Sequence, residues 1–357
     1  MITRTNKPNV GMIAPDHAKD RVLSVVDILI REREVTAVGT PEIKKLTGGA
    51  SRLTYLISYS SQAQYVVKIS LDSATSASPS SLLREHTVLT SLQASLDYTP
   101  TPIAFHEGDS IPELLIMRRS EGHTLCAKRQ SQLLLEPHNA RKLSENFIDR
   151  LAEIHNVDPK GLIANGLGNP EGYVNRRLNF WVNQYNSLHA HGGRAWGDVV
   201  EWLFGNIPGK HNPPTVVHND YRLDNLLVSA SDTATITSVL DWELATIGDP
   251  LMDLGVSMAY WIEANDPAHW HQVRWQPSHI PGMLRRSELV ERYARRTGRP
   301  VDGMLFFYIL GIFRKSCITR NLCIRNSQNL SPRLKDFKTI DNILHEVASS
   351  AIQREIF

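Results

Sequence analysis

The stretch Val216-Val217-His218-Asn219-Asp220-Tyr221-Arg222-Leu223-Asp224-Asn225-Leu226-Leu227-Val228, followed by Val239-Leu240-Asp241-Trp242-Glu243, decides how this chain is read. Both segments set carboxylates against apolar strand residues, where a charge is costly unless something pairs with it. The turn-rich Ser231-Asp232-Thr233 joins a strand over 225–229 to one over 235–241. Asn225 and Asp241 stand equally far from Thr233, so antiparallel pairing is expected to set them side by side at the open end of a hairpin. Asp220 falls in the loop that enters that end. A carboxamide and two carboxylates gathered in this way suit Mg2+, which takes one or two protein carboxylates and completes its shell with water and phosphate oxygens. A further acid beside the ion is placed to accept a proton from an attacking hydroxyl. Taken singly, Asp220 and Asp224 also read as turn formers and Asp241 as a strand terminator; the convergence of three groups favours a site.

Upstream, residues 16–33 read as an amphipathic helix with Val22, Leu23, Val26 and Leu29 on one stripe. Strands are expected over 42–46, 52–60 and 64–70, then a helix begun by Ser78-Pro79, then strands over 102–106 and 113–117. On the third strand Val66, Lys68 and Ser70 share one face and Tyr65, Val67 and Ile69 the other. Lys68 is therefore a mid-strand cation among apolar neighbours. On the next helix Leu82, Glu85, Leu89 and Leu92 form one stripe, which puts Glu85 on the packed face. The pair reads either as a structural ion pair or as a carboxylate that steadies an ammonium against phosphate oxygens. Gly48-Gly49-Ala50-Ser51 lies between two strands, as an ordinary turn or as a loop whose N–H groups reach a phosphate.

After Arg118 the pattern turns helical, over 139–156, 171–188, 194–205, 250–263, 286–297, 303–320 and 337–352, with a β insert from Thr215 to Trp242. The fold class expected is α+β and bilobal. Residues 1–117 form a small antiparallel sheet with a helix, and residues 118–357 a larger, mainly helical lobe that carries the hairpin. Small-molecule sites commonly lie in clefts between such halves. The 357 residues hold 39 Lys and Arg against 37 Asp and Glu, a balance that predicts neither a nucleic-acid nor a membrane partner. Three cysteines without metal spacing, no secretory signal and no apolar run of membrane length predict a cytoplasmic protein. No protein partner is legible.

Taken in order, these residues resemble the aminoglycoside phosphotransferase and choline kinase-like superfamily, distant relatives of the protein kinases, over roughly 20–345. The likeness is greatest to the kinase-like domain fused to some acyl-CoA dehydrogenases. His218 to Asn225 resembles the catalytic loop of that group. Leu240-Asp241-Trp242-Glu243 with Gly248-Asp249-Pro250-Leu251-Met252-Asp253 resembles its metal-binding segment.

The resemblance implies a protein-kinase-like fold with a nucleotide-binding N-lobe and a catalytic, substrate-binding C-lobe. It implies Asp220 as catalytic base and Asn225 and Asp241 as Mg2+ ligands. Lys68, with Glu85 as partner, would meet the phosphates of ATP or GTP. Gly48, Gly49 and Ser51 would form the phosphate loop, and Met117, Arg118 and Ser120 the hinge beside the base. Asp253 would anchor the catalytic loop, and His155 would be structural. Asn219 stands where this family commonly has glycine, and asparagine tolerates a left-handed backbone better than most residues.

The activity expected is transfer of a γ-phosphoryl group to the hydroxyl of a small molecule. Residues 281–357 carry 14 Lys and Arg against seven Asp and Glu. Part of that excess is solvated helix face, and the rest tilts toward an anionic acceptor such as a hydroxy acid or hydroxyacyl-CoA. The alternatives are an aminoglycoside or amino-alcohol kinase and a catalytically silent nucleotide-binding scaffold. Trp270 and Trp275 read as pocket wall or as cover for a helix junction.

Overall fold

The computed structural model describes residues 15–46, 52–70, 81–107, 111–125, 136–188, 195–209, 212–325 and 337–356. The chain divides into two compact units, Met1–Thr90 with Pro100–Arg119, and Ser91–Thr99 with Ser120–Phe357.

In the first unit, α1 (Pro15–Arg31) buries Val22, Val26 and Ile30, an i, i+4, i+8 stripe. Leu23 and Leu29, expected on the same stripe as Val22 and Val26, flank it as partly buried residues. An antiparallel five-stranded sheet runs in the order β1 (Glu42–Leu46), β2 (Arg52–Ser58), β3 (Gln64–Ser70), β5 (Leu114–Arg118) and β4 (Pro102–His106). Tyr65, Val67 and Ile69 of β3 join Val26, Ile30, Leu114 and Ile116 in one core. The alternate residues Val66, Lys68 and Ser70 are only partly buried, as strand periodicity requires. β1 is an edge strand, and its exposed Lys44 and Lys45 discourage further strand pairing. Helix α2 (Ser81–Leu92) buries Leu82, Glu85, Leu89 and Leu92, the expected stripe.

The second unit is built on α3 (Pro137–His155), α4 (Lys160–Ala164), α5 (Tyr173–Leu188), α6 (Gly197–Gly205), α7 (Pro250–Tyr260), α8 (Arg286–Thr297), α9 (Met304–Arg325) and α10 (Phe337–Arg354). All eleven residues of α7 are buried. It lies against α9 so closely that a Cβ on Gly311 would stand 2.7 Å from the Gly255 carbonyl oxygen; only glycine fits this crossing. These two helices carry Asp253 and Arg314.

The β insert is larger than its expected span. β7 (Thr215–Val217) pairs with β10 (Thr246–Gly248), while β6 (His123–Thr124), β8 (Leu226–Val228) and β9 (Ile236–Val239) form a three-stranded sheet. The hairpin register also differs from the expected one. Leu226 faces Val239 and Leu227 faces Ser238, then a bulge lets Val228 face Ile236. Asn225 is accordingly matched with Leu240, whose N–H donates to the Asn225 carbonyl at 2.8 Å. Asp241 lies one residue beyond that pair: the Val228–Ile236 match centres the turn on Asp232 rather than Thr233, and the extra residue that the bulge adds on β9 recovers only part of the offset. Among the described residues no helix is long and apolar enough to cross a membrane.

Candidate active site

In the first unit the two expected partners meet. Lys68 Nζ donates to Glu85 Oε1 at 2.8 Å and Oε2 at 3.1 Å. The glutamate side chain is 1% exposed and the lysine 12%, so a strand cation is held from beneath by a buried carboxylate. Such a clamp orients an ammonium while leaving its outer side near water. Gly48, Gly49 and Ser51, and the Ser78-Pro79 helix start, lie outside the described residues.

Met117 is buried in β5, and the N–H groups of Arg118 and Arg119 donate to Thr101 and Gln64. Arg118 Nη2 also bonds Glu34 at 2.7 and 2.9 Å, so both its main-chain donor and its side chain are engaged inside this unit. Ser120 begins the second unit, and its Oγ accepts from Ser238 Oγ at 3.1 Å.

In the second unit, residues 218–225 form a loop tied almost residue by residue. His218 N–H and Asn219 N–H both donate to the buried Asp253, each at 2.5 Å, and His155 Nε2 lies 3.2 Å from the same carboxylate. His155 also meets Tyr293 Oη at 2.8 Å and is fully buried, a structural strut. Asn219 adopts φ 64°, the left-handed region. Its side chain accepts from Tyr173 Oη at 2.7 Å and donates to the Leu244 carbonyl at 2.9 Å, so asparagine here both tolerates the backbone and fastens it.

His218 Nε2 donates to the Leu240 carbonyl at 2.8 Å, and its Nδ1 accepts the Asp220 N–H at 3.2 Å, which fixes the tautomer. Ser257 donates to the Tyr221 carbonyl, and Gln276 accepts the Leu223 N–H, both at 2.8 Å.

This frame presents Asp220. Arg222 approaches both its oxygens at 3.2 Å, and Asn225 Nδ2 donates to its Oδ2 at 2.9 Å. Burial pushes the carboxyl up, but the Arg222 and Arg314 guanidiniums, His218 and the Asn225 bond outweigh it. Asp220 is held below the usual carboxylate range. Asp224 goes the other way: burial raises it against the pull of Arg222 at 3.3 Å, and its Oδ1 is buried without a hydrogen-bond partner among the described residues.

The Asn225 amide nitrogen is committed to Asp220, so its oxygen faces away, and among the described residues nothing donates to it. Asp241, at φ 62° and ψ 56°, is exposed and near enough to Asp224 to raise that carboxyl. Leu240 links the two, through Asn225 on one side and His218 on the other. A carboxamide oxygen and a carboxylate are hard donors that fit Mg2+, which needs few protein ligands. Among the described residues no cluster of three or more His, Cys, Asp or Glu stands ready for a metal.

Several participants escaped sequence reasoning. Arg222 had a signal, a cation two residues from each of two aspartates. Tyr173 and Gln276 come from distant segments and had none. Of the two tryptophans, Trp275 lies 6.0 Å from the Arg222 guanidinium and edge-on to Tyr260. Trp270 bonds Glu346 of α10 and covers a helix junction.

A kinase-like α+β fold with a loop of this construction is the architecture of the phosphotransferase enzymes. The chain belongs to the phosphotransferase enzyme family, whose sequence model matches residues 42–289. It is 28% identical over 262 residues to acyl-CoA dehydrogenase family member 11 of Pongo abelii, covering 71% of this chain and 32% of that protein. The chain thus spans about a third of the length of such relatives.

A crystal structure from Ralstonia eutropha JMP134, provisionally named an aminoglycoside phosphotransferase, matches with TM-score 0.73 and 22% identity, covering 92% of this chain and 98% of that one. The streptomycin–ATP ternary complex of APH(2'')-IIa matches with TM-score 0.53 and 16% identity over 86% and 97%. At such identities these likenesses show the fold.

Proposed function

We propose that this chain moves the γ-phosphoryl group of ATP or GTP to a hydroxyl of a small anionic acceptor, a hydroxy acid or hydroxyacyl-CoA. The observation that carries the reading is Asp220, ionised and hydrogen-bonded on a loop tied from Asp253 to Gln276, with its side chain still partly open to solvent. Phosphoryl transfer passes through a loose transition state in which the protein chiefly positions and neutralises. An ionised carboxylate fixed at both oxygens orients a hydroxyl without being a strong base. The acceptor oxygen bonds to γ-phosphorus, the bond to the β-bridging oxygen breaks, and the hydroxyl proton goes to Asp220.

Asn225 Oδ1 and Asp241 would hold Mg2+, which when bound neutralises phosphate oxygens. Lys68, steadied by Glu85, binds nucleotide phosphates. Met117, Arg118 and Ser120 are assigned to the base and Gly48, Gly49 and Ser51 to the phosphates, although the Arg118 N–H is itself taken by the Thr101 carbonyl. That a structural neighbour was solved with ATP supports a nucleotide donor. The anionic acceptor is supported by Arg222 and Arg314, the latter within the basic C-terminal run and both close to Asp220.

The test is Asp220→Ala. Acceptor phosphorylation should fall by about 10²–10⁴-fold while nucleotide affinity by calorimetry stays near wild type; comparable turnover in the variant would remove Asp220 from the mechanism.

A further inference from the structure

Three arginines of the C-terminal helices sit on carboxylates of their own. Arg286 reaches Asp266 at 2.7 and 2.9 Å, Arg292 reaches Asp149 at 2.7 and 2.9 Å, and Arg320 reaches Asp341 at 2.9 Å. Arg314 of α9 is different. Its side chain is 4% exposed, and the carboxylate it approaches is Asp220, with Nη2 3.6 Å from Oδ1. That separation is too long for a hydrogen bond, and Asp220 is already bonded to Arg222 and Asn225.

Arg314 Nη1 is buried with no hydrogen-bond partner among the described residues. The guanidinium stands 5.5 Å from the ring centroid of Trp181, whose Nε1 is a second buried donor without a hydrogen-bond partner among the described residues. Lys315, the next residue, is turned to the carbonyls of Val273 at 2.9 Å and Ala259 at 3.3 Å, so it does not compete for the same ligand.

A buried guanidinium that lacks an acceptor is costly, and a planar fork is best matched by two oxygens on one carbon or by a polarised carbonyl. Both nitrogens hang from one carbon, so the unmatched Nη1 lies beside the proposed base. The fold holds this arginine there with Trp181 beneath it and without a carboxylate of its own.

Resting on the phosphotransferase reading, we propose that Arg314 is the specificity-determining residue for the acceptor. It takes the acyl oxygen, either the carboxylate of a free hydroxy acid or the thioester carbonyl of its CoA ester, and so sets the hydroxyl against Asp220. Hydroxyl compounds without an acyl oxygen leave the Nη1 donor unmatched and are selected against.

The test compares wild type, Arg314→Met and Arg314→Lys on a set of short hydroxy acids, their CoA thioesters and the diols of the same chain length. The measured quantity is the ratio of kcat/KM for acyl acceptor over diol. It should fall roughly tenfold to a hundredfold in Arg314→Met, the range for losing a hydrogen bond to a charged group, and return in part in Arg314→Lys. Whichever of acid or thioester loses more is the acyl group recognised.

An unchanged ratio in a folded variant, or a rise confined to the KM for nucleotide, overturns the assignment while leaving the phosphotransferase reading intact. If wild type phosphorylates no acceptor, that reading falls instead. Calorimetry of the same acids and diols then decides the inference: acyl-selective binding lost in Arg314→Met supports it, and equal binding of acid and diol to wild type refutes it.

Discussion

Lys68–Glu85 and the 218–225 loop are both charged clusters, built on opposite plans. The first is one cation and one carboxylate on two regular elements, a strand and a helix, meeting at 2.8 Å. The second stands on irregular backbone, with left-handed Asn219 and Asp241 and a 3-10 turn at Leu223–Asn225. Asp253, Ser257 and Gln276, all far along the chain, hold it in place. A pair on regular elements can be removed as a unit and replaced by apolar packing. A loop held from several segments has no such substitute, and its shape depends on each tie.

The largest effect on stability should follow from breaking the simple pair. Lys68→Met leaves the Glu85 carboxylate, 1% exposed, without this cation, and unfolding free energy in urea should drop by about 3–5 kcal/mol. Lys68→Met with Glu85→Leu should regain most of that loss but not nucleotide affinity. Recovery of both would make the pair merely structural.

Asp253→Asn is the matching cut in the loop. It replaces a carboxylate that accepts from His218 and Asn219 by a neutral amide, at a cost of about 1.5–3 kcal/mol. Here kcat should fall out of proportion to stability, because Asp220 shifts with the loop. A variant that melts earlier yet keeps kcat at temperatures where it is folded would show that the tie does not position Asp220.

The smallest effect is a pH slope. Burial, with Arg222 adding and Asp224 opposing, pushes the Lys315 ammonium down to about 7. In the unfolded chain the group binds its proton up to its ordinary value near 10, so between pH 7 and 10 the unfolded state holds more protons. Wild-type stability should therefore rise with pH in that window relative to Lys315→Met, by at most about 1.4 kcal/mol per pH unit. The difference should be flat below pH 7. Parallel curves from urea unfolding at pH 7, 8 and 9 would contradict the burial argument.

The same contrast governs what could be read from the chain. Alternation along β3 and the stripe on α2 set Lys68 against Glu85 because both elements repeat regularly. The hairpin itself was legible, and its register was not: nothing in the alternating residues marks the bulge between Leu227 and Val228 that faces Asn225 with Leu240. The left-handed backbone of Asp241 carries no local signal either. Helix α4 is five residues long, too short for a periodic pattern. Arg314 could be counted among many C-terminal cations, but only the packing of α9 distinguishes it from Arg286, Arg292 and Arg320, which have carboxylate partners.

The most direct test of the central claim is Mg2+-dependent ADP or GDP release across hydroxy acids, hydroxyacyl-CoAs, amino alcohols, sugars and aminoglycosides, with Asp220→Ala protein as blank. The account predicts release that requires both the ion and an acceptor, yields a phosphorylated acyl-bearing hydroxyl compound, and is lost in the blank. Release at the same rate in wild type and blank, or none with any acceptor despite tight nucleotide binding, would contradict it.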